Sequence, residues 1–321
     1  MPGECVIGVD LGGTKLLAGA VDGDLRVHHR AHRGSPYDRA DVLASIEEAV
    51  TEARDATEEG VRAVGVGIPS LVDRNRGVSV MAVHVDLAEV AVADVLSERL
   101  GLPVFVDNDA NLALLAEHRS GAAEGASHAV MLTLGTGIGG ALLFGGRLYR
   151  GAVGAAGELG HTVVDLDGPP CHGNCPNRGC LEALASGTAL AREGARLGGE
   201  QPDGALGEAV AAGREITGRL VTELAHDGDP AARDAVTLVG RALGVGLANI
   251  ANALNPEVIV IGGGMVALGD LLLDPAREEL AARALRPSRD VDVVFARYGD
   301  ESGMLGAALL ALDGVAGRAA V

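Results

Sequence analysis

The chain has 321 residues, a formal net charge of −18 and 48% hydrophobic residues. That length favours two cores over one, and the acidic balance argues against a nucleic-acid partner, which would call for a basic face. The N-terminal MPGECVIGVDLGGTK lacks the basic flank of a signal peptide, and apolar runs fall short of the ~20 residues of a membrane span, so a cytoplasmic protein without a membrane partner is expected.

Taken in chain order, Cys5–Val9 reads as a buried strand, with Lys15–Val21 as its hairpin partner after a glycine turn. Helical periodicity covers Ala40–Glu59, and Ala63–Ile68 is a strand stopped by Pro69. A helix over Val92–Leu100 leads to a short strand, Pro103–Val106, and then to a helix over Asp109–Ser120. The opening pattern returns at His128–Leu134, Gly135–Gly140 and Ala141–Phe144. VIGVDLGGTKLLAGAV and AVMLTLGTGIGGALLF read as two versions of one strand–turn–strand unit, hence two related α/β halves. Gly151–Asn177 is irregular; helices follow over Leu181–Leu197 and Ala231–Leu254. Val258–Ile261 is a strand, Leu271–Leu285 a helix, Val291–Phe295 a strand and Met304–Leu312 a closing helix.

Three glycine turns stand out: Asp10-Leu-Gly12-Gly13-Thr14-Lys15, Gly135-Thr136-Gly137-Ile-Gly-Gly140 and Gly262-Gly263-Gly264. Glycine lets the backbone approach an anion and aim successive N–H groups at it. Thr14 adds a hydroxyl and Lys15 a charge, while Asp10 suits a hydrated Mg²⁺. A hairpin needs glycine for its geometry alone, so each turn also has a purely structural reading. Gly135–Gly140 fits G-x-G-x-x-G, but a strand follows it; the stretch after Ile261 does run strand, turn, helix and leaves a dinucleotide-dependent oxidoreductase as an alternative.

Asp107-Asn108-Asp109 lies where a strand end meets a helix, the place where ligands gather in open α/β sheets. An aspartate there suits proton removal from an attacking hydroxyl, and equally suits a helix cap. Asn108 offers both a donor and an acceptor to a sugar hydroxyl. Glu158 and His161 share one face of a helical turn, and carboxylates such as Glu158 and Glu182 can each accept from vicinal hydroxyls. Cys171-x3-Cys175-x4-Cys180 with His161 supplies three thiolates and an imidazole, the donor set of a closed structural Zn²⁺ site; His172 competes for one position.

Together these residues resemble the ROK family (repressors, open reading frames and kinases), and within it most closely the bacterial glucokinases. DLGGTK at 10–15 and GTGIGG at 135–140 look like its phosphate motifs, NDAN at 108–111 like its catalytic motif, GELGH at 157–161 and GCLE at 179–182 like its sugar and zinc signature, and GGG at 262–264 like its adenosine motif. The resemblance implies the α/β actin-like ATPase fold, with two α/β domains and a cleft: a small one over 1–117 completed by the helix at 302–321, and a large one over 118–301 carrying the zinc loop. It implies ATP-dependent phosphorylation of a hexose, glucose first, with ATP, Mg²⁺ and structural Zn²⁺. Asp109 is then the base; Asn108, Glu158, His161, Glu182 and Ser70 meet the sugar. Family repressors carry an N-terminal DNA-binding segment, which the position of DLGGTK leaves no room for here, and homodimers are common in the family. Two departures stand out: CHGNCPNRGCLE has two extra residues between its first cysteines, and Ser70 replaces a usual glycine. Other acceptors (mannose, fructose, N-acetylmannosamine, N-acetylglucosamine), polyphosphate as donor, and a sugar sensor without turnover are the competing expectations.

Overall fold

The computed structural model describes residues 4–13, 15–58, 60–74, 76–82, 85–173 and 175–317. In chain order the elements are β1 (Glu4–Leu11), β2 (Lys15–Asp22), β3 (Val27–Gly34), α1 (Arg39–Asp55), β4 (Gly60–Ile68), β5 (Ser70–Asp73), β6 (Val78–Ala82), α2 (Val92–Leu100), β7 (Val104–Asn108) and α3 (Asp109–Ser120). Then come β8 (His128–Leu134), β9 (Ile138–Phe144), β10 (Arg147–Leu148), α4 (Leu181–Ala185), α5 (Gly187–Glu200), α6 (Ala205–Ala211), α7 (Gly218–His226) and α8 (Pro230–Leu254). The chain closes with β11 (Val258–Gly262), α9 (Asp270–Arg283), β12 (Asp292–Phe295) and α10 (Ser302–Val315).

The two halves repeat one topology. The first sheet has the order β3-β2-β1-β4-β7 and the second β10-β9-β8-β11-β12, the same path through five strands. The echo between the two glycine hairpins is therefore a repeat of whole α/β halves. Contacts divide the chain into two compact units: residues up to 131 with 141–157 and those from 296 onward, and residues 132–140 with 158–295.

In the first unit, β1 runs antiparallel to β2 and parallel to β4, which is parallel to β7. The core is aliphatic: Ile7, Val9, Leu16, Ile46, Val64, Val66 and Leu96 are fully or almost fully buried. The helix α10 lies on β1 and β4 at backbone distance. A Cβ on Gly8 would sit 2.1 Å from the Met304 carbonyl oxygen, and one on Gly65 1.8 Å from that of Ala307. Only glycine allows that approach. In the second unit α8 packs on α5, α7 and α9. Asp229 caps it through the Ala232 N–H, with Pro230 in its first turn. Among the described residues α8 is the one helix long and apolar enough to cross a bilayer; 61% of its apolar stretch is buried inside the protein, as in a core helix.

Several boundaries differ from the expected ones. The first helix ends at Asp55 rather than Glu59, because the chain must turn back into β4. The helix expected over Leu181–Leu197 breaks at Ser186, whose hydroxyl accepts from the Ala189 N–H and caps α5. Strand β3, the β5–β6 hairpin, α6 and α7 were not anticipated. The sequence of β3, VHHRAHRG, hides it: this is an edge strand in which only Ala31 is buried.

Candidate functional site

In the first unit the proposed residues sit at the carboxyl ends of parallel strands. Asp10 lies near the end of β1, paired in register with Gly67 of β4. The turn after it is closed by the Gly12 N–H to the Lys15 carbonyl, 2.8 Å; Gly13 is exposed, and Thr14 lies outside the described residues. Lys15 opens β2, and its ammonium contacts Asp300 at 2.5 Å. Burial pushes the Asp10 carboxyl up to about 6, with Lys15 pulling it down and Asp300 pushing it up. A Cβ on Gly303, in the first turn of α10, would lie 2.5 Å from the Asp10 carboxyl carbon. The carboxylate thus rests directly on the start of that helix.

At the end of β7 the three polar residues divide the work. Asn108 caps α3: its Oδ1 accepts from the Asn111 N–H at 3.1 Å, and its Nδ2 donates to the Ser70 carbonyl at 3.3 Å. Those bonds fix the amide plane and leave one lone pair and one N–H for a ligand. Asp109, the first residue of α3, is therefore not needed as the cap; its Oδ1 accepts the Ala110 N–H, 2.9 Å. Asp107 is 1% exposed. Its Oδ2 takes Nε and Nη2 of Arg150 at 2.9 and 2.7 Å, and its Oδ1 takes the Asn108 N–H at 2.8 Å. Two guanidinium donors thus converge on one oxygen of a carboxylate in a dry site, which fixes Asp107 as an ion-pair partner. Ser70 turns its hydroxyl into the β5–β6 hairpin, 2.5 Å from the Ser79 hydroxyl and donating to the Met81 carbonyl at 2.8 Å. Only its carbonyl reaches Asn108.

The second unit brings two glycine turns together. Gly135 N–H donates to the Gly137 carbonyl, and the start of α5 packs on this turn through Gly187 N–H to the Gly135 carbonyl and Thr188 Oγ to the Thr136 carbonyl, each 2.8 Å. Strand β11 lies beside β8, and Gly263 adopts φ +82° where a Cβ would meet the Leu134 carbonyl oxygen at 2.5 Å. Gly262-Gly263-Gly264 therefore stands next to Gly135–Gly137. A short 3₁₀ turn over Gly264–Leu268, not an α-helix, follows the triple glycine, unlike the dinucleotide fingerprint in which the helix starts at the glycines.

The cysteine segment converges. The donor atoms of His161, Cys171, Cys175 and Cys180 all lie within 4.8 Å of one another. Cys171 Sγ is 3.5 Å from His161 Nδ1, and the Cys175 and Cys180 sulfurs are 3.9 Å apart. Burial and the neighbouring thiols push the Cys171 thiol well up, and burial raises Cys180 too; crowded sulfurs of this kind become thiolates together only around a cation. The donors fit a tetrahedral zinc, and Cys171 rather than His172 completes the set in spite of the longer spacing. The other ring nitrogen of His161, Nε2, is 3.9 Å from the Glu158 carboxylate. Glu182 is 4% exposed; its Oε2 accepts the Ile138 N–H at 2.8 Å, tying the cysteine segment to the strand that follows the Gly135 turn.

The ROK family profile matches residues 6–314. The chain belongs to the ROK family. It is 36% identical over 316 residues to the glucokinase of Streptomyces coelicolor, covering 96% of this chain and 97% of that protein. The structure of a ROK family glucokinase from Streptomyces griseus in complex with glucose and AMPPNP superposes with a TM-score of 0.87 at 36% identity, covering 96% of this chain and 99% of that one. The xylose repressor of Bacillus spizizenii is 28% identical over 281 residues, covering 86% of this chain and 68% of that protein. The fold of this ROK protein is thus the α/β actin-like ATPase fold of the family's sugar kinases.

Sequence reasoning passed over Arg150, Ser79, Asp300 and Glu117, all of which contact residues of the site or of its supports. Arg150, Asp300 and Glu117 are distant in sequence from these partners, Ser79 meets Ser70 only across the β5–β6 hairpin, and no local pattern marks any of the four.

Proposed function

We propose that this ROK protein, a hexose kinase, transfers the γ-phosphate of ATP to the 6-hydroxyl of glucose. The observation that carries the reading is Asp109: half-buried, at the head of α3, with the capping role taken by Asn108, in a chain 36% identical to glucokinases over nearly its whole length. In this reading Asp109 accepts the hydroxyl proton as the sugar oxygen bonds to the γ-phosphorus and the bond from phosphorus to the ADP oxygen breaks. Asn108, Glu158, His161 and Glu182 hold the sugar ring, Ser70 acting through its carbonyl on Asn108. Asp10, Lys15 and the turns at Gly12–Gly13, Gly135–Gly137 and Gly262–Gly264 receive the nucleotide. Mg²⁺, when bound, offsets the phosphate charge. Zinc on His161, Cys171, Cys175 and Cys180 is structural: four protein donors leave no position for a reacting water. It braces the segment bearing Glu158, His161 and Glu182.

Two experiments test this. ADP release is followed with MgATP and glucose, mannose, fructose, N-acetylmannosamine or N-acetylglucosamine; glucose is expected to give the highest kcat/KM. Preference for another sugar would replace the acceptor but keep the kinase. Asp109→Asn is expected to retain glucose binding and to lower kcat by ~10²-fold or more, the usual scale for a general base. Turnover near that of the unaltered protein would remove Asp109 from the role. A sensor without turnover, as the likeness to a repressor allows, predicts sugar binding with no ADP release in any arm.

A further inference from the structure

Glu117, in the last turn of α3, has a carboxylate that the chemistry above does not use. It is 0% exposed. Every oxygen lone pair that a carboxylate commonly offers is matched, each by a neutral donor. Oε2 accepts from the Ala122 and Arg297 N–H groups at 2.8 and 3.0 Å. Oε1 accepts from the Tyr298 N–H at 3.0 Å and the Ser302 hydroxyl at 2.7 Å. A buried ion is tolerated only when donors replace its water, and four donors do so here. Three of the four belong to one short stretch, Arg297–Ser302. Further bonds close the grip: the Ser120 carbonyl accepts from the Arg297 guanidinium and the Tyr298 hydroxyl, each at 3.0 Å.

The same stretch meets the first glycine turn on its other side. Asp300 is bonded to Lys15, Glu301 holds Arg30 of β3 through two bonds, and Gly303 lies against the Asp10 carboxyl. The helix α3 thus carries the proposed base at its first residue and, eight residues later, the anchor for the segment that borders Asp10 and Lys15.

We propose that Glu117 is a positioning residue for the phosphate end of the site: its four accepted hydrogen bonds hold Arg297–Ser302 so that Asp300 and Gly303 seat Lys15 and Asp10 for a magnesium nucleotide. This rests on the kinase reading for its nucleotide, and it adds a residue that touches neither sugar nor phosphate. Because the anchor acts through the 297–303 segment, its loss is felt in nucleotide affinity before sugar affinity.

The test measures MgADP binding by titration calorimetry, with KM for MgATP and for glucose, in Glu117→Gln, Ser302→Ala and Val50→Ala. Glutamine keeps the shape but turns an N–H₂ towards donors, so this variant loses at least two bonds; Ser302→Ala removes one bond and leaves the carboxylate in place. Val50→Ala makes a cavity in the core under α1, which packs chiefly on β1, β2, β3 and α2, and reports pure destabilisation. The expected result is a rise in MgADP Kd and MgATP KM of roughly tenfold in Ser302→Ala, and more in Glu117→Gln, with glucose KM changed less than about twofold. Val50→Ala should lower Tm and leave both affinities unchanged. The proposal is overturned if Ser302→Ala binds MgADP like the unaltered protein, if nucleotide and sugar affinities fall together, or if the loss merely follows Tm as in Val50→Ala. If the unaltered protein binds MgADP but phosphorylates no sugar, the kinase reading falls and the positioning result still stands; if it binds no MgADP, both fall.

Discussion

Replacing Arg150 by Met tests the dry ion pair behind the site. Methionine keeps the apolar stem of the side chain and removes the guanidinium. In the folded protein Asp107 Oδ2 then loses both of its partners, at 2.9 and 2.7 Å, while Oδ1 keeps Asn108 N–H and, more distantly, Asn111 Nδ2 at 3.4 Å. Asp107 is only 2% exposed in its side chain, so water does not replace the loss. Breaking a buried pair from one side typically costs about 3–5 kcal/mol. Arg74 is near enough for its charge to oppose that of Arg150 and to favour that of Asp107, and its own basicity is lowered chiefly by burial. Its field compensates in part, which places the expected cost near the lower end, about 3 kcal/mol. At roughly 2–4 °C per kcal/mol for a domain of this size, Tm should fall by about 6–12 °C. Turnover should fall too, by about 10–10²-fold, because the unpaired carboxylate holds the backbone of Asn108 next to the proposed base, and displacements of about 1 Å carry penalties of this order. Thermal unfolding and an ADP-release assay measure both. The decisive arm is the double variant Asp107→Asn/Arg150→Met, which removes the buried charge: it should be more stable than Arg150→Met alone. An Arg150→Met protein within about 1 kcal/mol of the parent, with the double variant strictly additive, would refute the argument.

Other expectations follow from the same geometry. Glu158→Gln should raise glucose KM far more than MgATP KM; equal rises would indicate a folding defect. Purified protein should contain one zinc per chain, and Cys175→Ala and Cys171→Ala should each lose it with a lower Tm; unchanged zinc in Cys171→Ala would remove that ligand alone. Asp10 has its folded pKa raised by burial from 3.8 to about 6, so the folded state holds the extra proton and stability without Mg²⁺ falls as pH rises through that interval. Asp10→Asn should accordingly raise Tm at pH 8, by up to about 3 kcal/mol of stability, and leave it unchanged near pH 4, as pH-dependent melting curves in chelator would show; a gain of equal size at pH 4 would refute the assignment to ionisation.

The sequence by itself determined the features whose chemistry is local. Glycine turns, an Asp-Asn-Asp run between strand and helix, and Cys/His spacing are read within a few residues, since backbone conformation and ligand reach are set by neighbours along the chain. The repeated hairpin pointed to two related α/β halves, and the two sheets do share one strand order. Burial and long-range pairing are not local, and there the tertiary structure decided. The run at 107–109 contains two aspartates of equal chemistry; Arg150, 43 residues away, engages Asp107, and Asn108 rather than Asp109 takes the capping role at the head of α3. Ser70 was expected beside the sugar by resemblance; the β5–β6 hairpin draws its hydroxyl inward. The longer spacing between Cys171 and Cys175 left His172 as a competitor, which only the folded loop resolved, bringing Cys171 Sγ to 3.5 Å from His161 Nδ1. No local pattern singles out Glu117. It becomes a buried anchor because its four donors come from a turn just beyond α3 and from a stretch some 180 residues later, brought there by the packing of α10 on α3.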